Sequence, residues 1–382
     1  MDMTELGARF SDLERRRGQT WDALWARRPL GRIAVSVTPA EKRQKQAAEL
    51  CAAIKLAEAA PLPRGWTPKW RDLLRTDLSH VLTATELPGD GFAGLGVPRP
   101  FHGQSQGIAD IFGARVEEQF DGNFFVFPLP PDPPAIAALR PRPLEESRYW
   151  GAVEYARYAR RATGGLLPIS APVMTGPFDT ANYLLGTTVL MEWVYTEPEA
   201  LHALLATLTD TLARMLLALR EAAGGQLDPA LFWCLRGGPD ICSECRAIVS
   251  AETYEQFEAP YLRELGRRTG PLGIHSCGSW ERTVPSACRD PNIRAMNGGS
   301  REVDVGELCR LADGQMPLSI YRSQNVATHL LWPDKESFWT HILQTVPPSQ
   351  PFEVQIGEDD IPAWNRLCAE HGRTESLVSV NA

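Results

Sequence analysis

The chain has 382 residues, 43% of them hydrophobic and 23% charged, with a formal net charge of −8 at pH 7. That length suits one large α/β barrel or two ordinary domains, and the composition is that of a folded chain, which excludes a disordered one. The acidic balance lacks the basic excess that a phosphate backbone demands, so nucleic acid is not an expected partner.

The first residues, MDMTELGARFSDLERRRGQTW, are charged and amphipathic. They contain no apolar signal segment, and no uninterrupted apolar run approaches the length of a bilayer span. A cytoplasmic protein with no membrane partner is expected. Eight cysteines in such a chain argue for free thiols or metal ligands rather than a disulfide framework. Ala, Leu, Glu, Arg and Lys at helical spacing, notably over Glu41–Ala60, predict an N-terminal helical extension at 1–65 with one short strand at Arg32–Val37. From 66 to 382, short apolar segments broken by Gly and Pro predict the main domain. Within it PLPPDPPAIAALRPRP, Pro128–Pro143, reads as an extended connection, because its prolines fix φ and remove backbone donors.

The clearest helix is TEPEALHALLATLTDTLARMLLAL, where Leu201, Leu204, Leu205, Leu208, Leu212, Met215, Leu216 and Leu219 share one face. After it, strand-like ALFWCL (Ala230–Leu235), PLGIH, IRAMN, MPLSIYRSQN and FEVQIGEDD alternate with amphipathic helices. That rhythm predicts parallel strands with helical crossovers. No GxGxxG follows a first strand and no GxxxxGK[ST] occurs, so the expected fold is a single α/β (β/α)8 TIM barrel. In such a barrel the C-terminal strand ends form the active-site mouth. Here they carry Cys234, Arg236 and Asp240, then His275 and Cys277, then Asn297, then Tyr321, Arg322, Gln324 and Asn325, and finally Glu358, Asp359 and Asp360.

His275 and Cys277 lie two residues apart in an extended segment and therefore on one side of it. They read as metal ligands, as a redox or nucleophilic pair, or as two core residues. Imidazole and thiolate together suit zinc, which takes three or four such ligands. Cys242 and Cys245 in ICSEC have CxxC spacing and lie in the loop after ALFWCL. Cys51, Cys309 and Cys368 sit in helical patterns and read as core, while Cys288 points away from the mouth. Asp240 is a candidate for orienting His275 or acting as a general base. Arg236 and Arg322 are candidates for an anionic substrate group, and Asp179, Asn182 and Tyr183 for lining the mouth.

Three pieces resemble the uroporphyrinogen decarboxylase superfamily and, within it, the branch of methylcobamide:coenzyme M methyltransferases. They are APVMTGPFDTANYLLG with the helix opening TEPEAL, RAIVSAETYEQFEAPYLREL, and IHSCGSW with the later SQN, covering a little over half of the chain. The Arg-rich N-terminal motif of true decarboxylases has no match in ERRRGQTW or LWARRPLGR. The resemblance implies a zinc-dependent methyltransferase moving a methyl group between a small donor or corrinoid and a thiol acceptor. It implies Zn²⁺ on His275 and Cys277, with a corrinoid protein and a small-molecule substrate as partners; a homodimer is compatible with it. In the relatives the third ligand is a cysteine after the last strand, where this chain carries Glu358, Asp359 and Asp360. Glu358 is therefore the expected third ligand, with Asp359, Asp360, Cys242 and Cys245 as alternatives. Asp240 and Tyr321 are the expected catalytic residues; Asp179, Asn182, Tyr183, Arg236, Arg322 and Asn325 are expected to bind substrate. A decarboxylase or lyase on the same barrel, or a non-catalytic member, is the alternative.

Overall fold

Asp2 opens the first helix, α1 (Met3–Trp25), by accepting from the Glu5 backbone N–H, and Leu6, Phe10, Leu13, Trp21 and Leu24 form its buried face. The computed structural model describes residues 1–56, 67–97, 103–120, 123–299, 303–322 and 332–379. After α1 come β1 (Ile33–Thr38), α2 (Glu41–Ala52), α3 (Thr67–Glu86) and a 3₁₀ stretch, Gly103–Phe112. The antiparallel hairpin of β2 (Arg115–Phe120) and β3 (Asn123–Phe127) leads to α4 (Pro133–Ala137) and α5 (Trp150–Ala162). β4 (Met174–Thr175) is followed by α6 (Pro177–Leu185), α7 (Thr187–Thr196) and α8 (Pro198–Ala223). Then strand and helix alternate: β5 (Asp240–Cys242), α9 (Ala251–Phe257), α10 (Ala259–Thr269), β6 (Leu272–Ser276), α11 (Val284–Arg289), β7 (Ile293–Gly299) and α12 (Val305–Ala312). β8 (Leu318–Tyr321), α13 (Lys335–Thr345), β9 (Phe352–Gly357) and α14 (Ile361–Glu370) complete the series.

Seven strands form one parallel sheet in the order β1-β9-β8-β7-β6-β5-β4. The gap between its two edges is filled by the irregular stretch 90–97. On one side Asp90 N donates to Val35 O at 2.6 Å; on the other Leu95 N donates to Pro168 O and Ser170 N to Leu95 O, each at 2.9 Å. Leu95 and Ile169 form a parallel bridge there. Asp90 is itself fixed by Arg32, whose two guanidinium nitrogens donate at 2.6 Å each. The ring thus closes on eight positions, and the chain folds as the expected (β/α)8 TIM barrel. Across the seam, β1 lies in register with β9, Ile33 opposite Phe352.

The structure corrects four sequence expectations. β1 is a barrel strand, so 1–65 is not an extension separate from the barrel. The helix expected over Glu41–Ala60 ends at Ala52. Pro128–Pro143 contains the short helix α4, capped by the Asp132 carboxylate. The apolar run Ala230–Leu235 is not a strand. Its place in a ladder is taken by carboxylates: Asp240 accepts from Ala230 N at 2.7 Å and Leu231 N at 3.1 Å, and Glu353 from Trp233 N at 3.0 Å and Cys234 N at 2.7 Å. An apolar run marks burial, which Phe232, Cys234 and Leu235 obey, without distinguishing strand from packed irregular chain. α8 is long and apolar enough to cross a membrane by length and composition, yet 61% of its most apolar window is buried inside the protein. All eight residues of its expected apolar face are buried.

Candidate functional site

The parallel register of β5, β6, β7 and β8 puts Cys242 opposite His275, His275 opposite Asn297, and Asn297 opposite Ser319. Side chains at one level of a parallel sheet point to the same face, so these four form a row across the barrel near its C-terminal end. The row is wired. Asn297 Nδ2 donates to Ser319 Oγ at 2.8 Å and to Ser319 O at 3.1 Å, which leaves Asn297 Oδ1 facing His275 Nδ1 at 2.5 Å. With an acceptor on Nδ1, the neutral ring carries its proton there and turns the Nε2 lone pair toward the mouth. His275 is buried; Cys277, two residues on, is exposed, and its Sγ lies 3.2 Å from Nε2.

The next donor comes from the loop after β5. Glu244 Oε1 lies 3.5 Å from His275 Nε2, while Oε2 accepts from Cys277 N at 2.7 Å and from Ser276 Oγ at 3.5 Å. Ligand atoms of Cys242, Glu244 and His275 lie within 4.8 Å of one another. Burial, followed by Glu244, Asp240 and Asp179, pushes the Cys242 thiol well above its ordinary range. The cluster is electronegative and sulfur-, nitrogen- and oxygen-bearing, a donor set suited to a borderline divalent cation such as zinc.

Tyr321 forms one wall. Its ring lies parallel to that of His275, with centroids 6.2 Å apart and planes at 12°, and its hydroxyl is 3.7 Å from Cys277 Sγ. Trp233 meets the Tyr321 ring edge-on at 6.3 Å. Burial first, and then Cys277, raises the Tyr321 hydroxyl above the usual phenol range, so it stays a proton donor. Arg322 follows at the same strand end and donates to Trp332 O at 3.2 Å. On α6, Asp179 is buried, with its pKa pushed up to about 6 by desolvation. It accepts from Glu244 N at 2.6 Å and Cys245 N at 2.8 Å. Asn182 lies one turn further along α6, and its Oδ1 is a buried acceptor with no hydrogen-bond partner. Burial, with Asp179, Cys242, Cys245 and Glu244 nearby, raises the Tyr183 hydroxyl.

Several expected site residues lie elsewhere. Glu358, the expected third ligand, takes Arg43 Nε at 2.9 and 3.0 Å, Arg43 Nη2 at 2.5 Å and Ala40 N at 3.0 Å, and Arg43 holds its carboxyl below the usual range. It joins α2 to β9, and the cluster around His275 does not include it. Asp360 binds Lys335 Nζ at 2.8 Å, and Asp359 is exposed. Asp240 begins β5 instead of ending a strand; burial raises its pKa to about 6, and its carboxylate holds Ala230 and Leu231 rather than His275. Arg236 pairs with Glu14 of α1. Its neighbours Gly237 and Gly238 press against Trp25, and Gly238 also against Pro271, just before β6, which places Arg236 at the barrel floor. Cys245 is buried in the core beside Asp179, so the two cysteines of CxxC face different surroundings. Asn325, with Gln324, lies outside the described residues. Sequence reasoning missed Glu244 and Trp233. A pattern was there for the first: Cys242-Ser-Glu244 repeats, on the neighbouring strand, the donor spacing of His275-Ser-Cys277.

Comparisons with known proteins agree with this architecture. A curated relative, the methylated-thiol–coenzyme M methyltransferase of Methanosarcina mazei, is 32% identical over 127 residues, 33% of this chain. The match spans about a third of that relative, 32% of its length. A solved methyltransferase from Methanosarcina mazei superposes with a TM-score of 0.59 at 14% identity, over 89% of this chain and 91% of that one, a likeness of fold. Both of these proteins are named as methyltransferases. The family model for uroporphyrinogen decarboxylase (URO-D) matches residues 107–307, more than half of the chain, and the chain belongs to that family.

Proposed function

We propose that this chain is a zinc-dependent methyltransferase that moves a methyl group between a small methylated donor, or a corrinoid carried by a partner protein, and a thiol acceptor. The observation that carries the reading is the convergence of Cys242, Glu244 and His275 within 4.8 Å, with Cys277 Sγ 3.2 Å from His275 Nε2. Two thiols, an imidazole whose Nδ1 is already engaged by Asn297 and a carboxylate make a set that zinc accepts. Cys242 and Glu244 replace Glu358 in the ligand set expected from the sequence. The likeness to a methylated-thiol–coenzyme M methyltransferase supports the reaction class. Bound zinc would supply a thiol substrate with a lowered pKa, so that the sulfur is nucleophilic near neutral pH.

The chain's own residues do the rest. Asn297 fixes the His275 tautomer. Tyr321 offers a hydroxyl proton to sulfur at the mouth, and Tyr321 with Trp233 forms an aromatic wall that keeps water from the transferring methyl group. Asn182 supplies an acceptor for a substrate donor, and Arg322 a cation at the rim, the place expected also for Asn325. All eight cysteines are free thiols, in keeping with a reducing, cytoplasmic setting.

Metal content of the purified full chain tests the reading, with wild type beside His275→Ala, Cys242→Ala, Glu244→Gln and Glu358→Gln. Wild type and Glu358→Gln should hold about one zinc per chain, and the other three should lose it or bind it on the order of 10-fold more weakly or worse. Stoichiometric zinc in His275→Ala and Cys242→Ala would refute the site. Metal-independent release of carbon dioxide from a small carboxylate would favour the lyase alternative instead.

A further inference from the structure

We infer that Asp179 is a positioning residue that sets Glu244 onto the metal; the inference rests on the metal site proposed above. Glu244 is a long side chain on a loop, and its side chain is 41% exposed. Such a group loses considerable rotamer and backbone entropy when it is held at one point, so a useful ligand there needs its backbone fixed beforehand. Asp179 does this. It stands in the first turn of α6, directly after β4, and its two carboxylate oxygens take the consecutive N–H groups of Glu244 (2.6 Å) and Cys245 (2.8 Å).

Three features distinguish this arrangement from an ordinary turn cap. Asp179 is only 3% exposed, and among the described residues no basic side chain pairs with it, so the loop N–H groups offset part of its desolvation. The same segment is tied to the start of α6 by Gly176 N donating to Cys242 O at 2.8 Å, a second link between α6 and CSEC beside the Asp179 carboxylate. At its other end Glu244 is held by Cys277 N at 2.7 Å, next to the second thiol. The carboxylate is therefore fixed from α6 at its backbone and from the end of β6 at its oxygens. A side chain outside the ligand set thereby determines where a ligand sits, as partners behind metal ligands do.

Co²⁺ binding to the full-length protein tests this, by affinity and by d–d absorption, in a double-mutant cycle of Asp179→Asn and Glu244→Gln. In Asp179→Asn an amide NH₂ would face one of the two loop N–H groups. Affinity should fall on the order of 10- to 100-fold, with altered d–d intensities. In the Glu244→Gln background the same change should cause no further loss, because Asp179 acts through Glu244. Equal affinity of Asp179→Asn and wild type would overturn the inference, as would equal losses in both backgrounds, which mark a general structural role. If Asp179→Asn does not fold, Asp179→Glu gives the same comparison, since one added methylene displaces both oxygens. Should Glu244→Gln and His275→Ala bind Co²⁺ like wild type, the metal site itself is wrong and the inference falls with it. If only Asp179→Asn is unaffected, the metal site stands and this inference alone falls.

Discussion

Replacing Glu353 with Gln should flatten the dependence of stability on pH. Glu353 points from β9 into the barrel, is 1% exposed, and accepts Trp233 N at 3.0 Å and Cys234 N at 2.7 Å. Burial raises its pKa from the ordinary 4.5 to about 7. Between those values the folded protein keeps a proton that the unfolded chain has released. The contribution of Glu353 to stability is therefore fully present below about pH 4.5 and lost as pH rises through about 7. At about 1.4 kcal/mol per unit, that shift amounts to about 3 kcal/mol. Gln does not titrate. It also faces one loop N–H with its NH₂, a penalty that is the same at every pH. Urea unfolding followed by Trp fluorescence at a series of pH values isolates the difference between the two proteins. Relative to Glu353→Gln, the wild type should lose about 3 kcal/mol between roughly pH 4 and pH 8. Parallel stability profiles would refute the reasoning, showing that the two N–H donors stabilise the carboxylate as much as burial penalises it. The result bears on function because Glu353 holds Trp233 against Tyr321.

Asn297→Leu removes the acceptor from His275 Nδ1, and zinc affinity measured by chelator competition should fall on the order of 10-fold while Glu358→Gln leaves it unchanged. Gly298→Ala would set a Cβ 2.5 Å from Trp280 Nε1 and 2.8 Å from the Ser276 carbonyl oxygen. That backbone atom cannot yield without parting β6 from β7, and urea unfolding should show a loss of about 1–3 kcal/mol.

The barrel was legible because apolar runs alternating with amphipathic helices have few solutions, and the closeness of His275 and Cys277 was legible because residues two apart at a strand end share one side of it. The remaining site residues were less so, for physical reasons. Treating Ala230–Leu235 as a strand put Arg236 and Asp240 at the mouth; the strand begins after Arg236, so one is at the floor and the other is spent on loop N–H groups. Glu358 is engaged by Arg43, a partner 315 positions away that no local pattern reveals. Glu244 was hidden behind the more conspicuous cysteines of CxxC, although it stands two residues after Cys242 as Cys277 does after His275.

The seam between β1 and β9 bears on how the molecule comes into being. Thr38 Oγ1 donates to Ile356 O across 318 positions of chain, whereas the donors of the proposed metal site come from the ends of β5 and β6 and the residues just after them, Cys242 to Cys277. On a ribosome the donor segments emerge and can find one another while the first strand still waits for its neighbour. Contacts so distant in sequence are slow to form. A half-made chain thus carries the proposed donors together in a barrel that is still open.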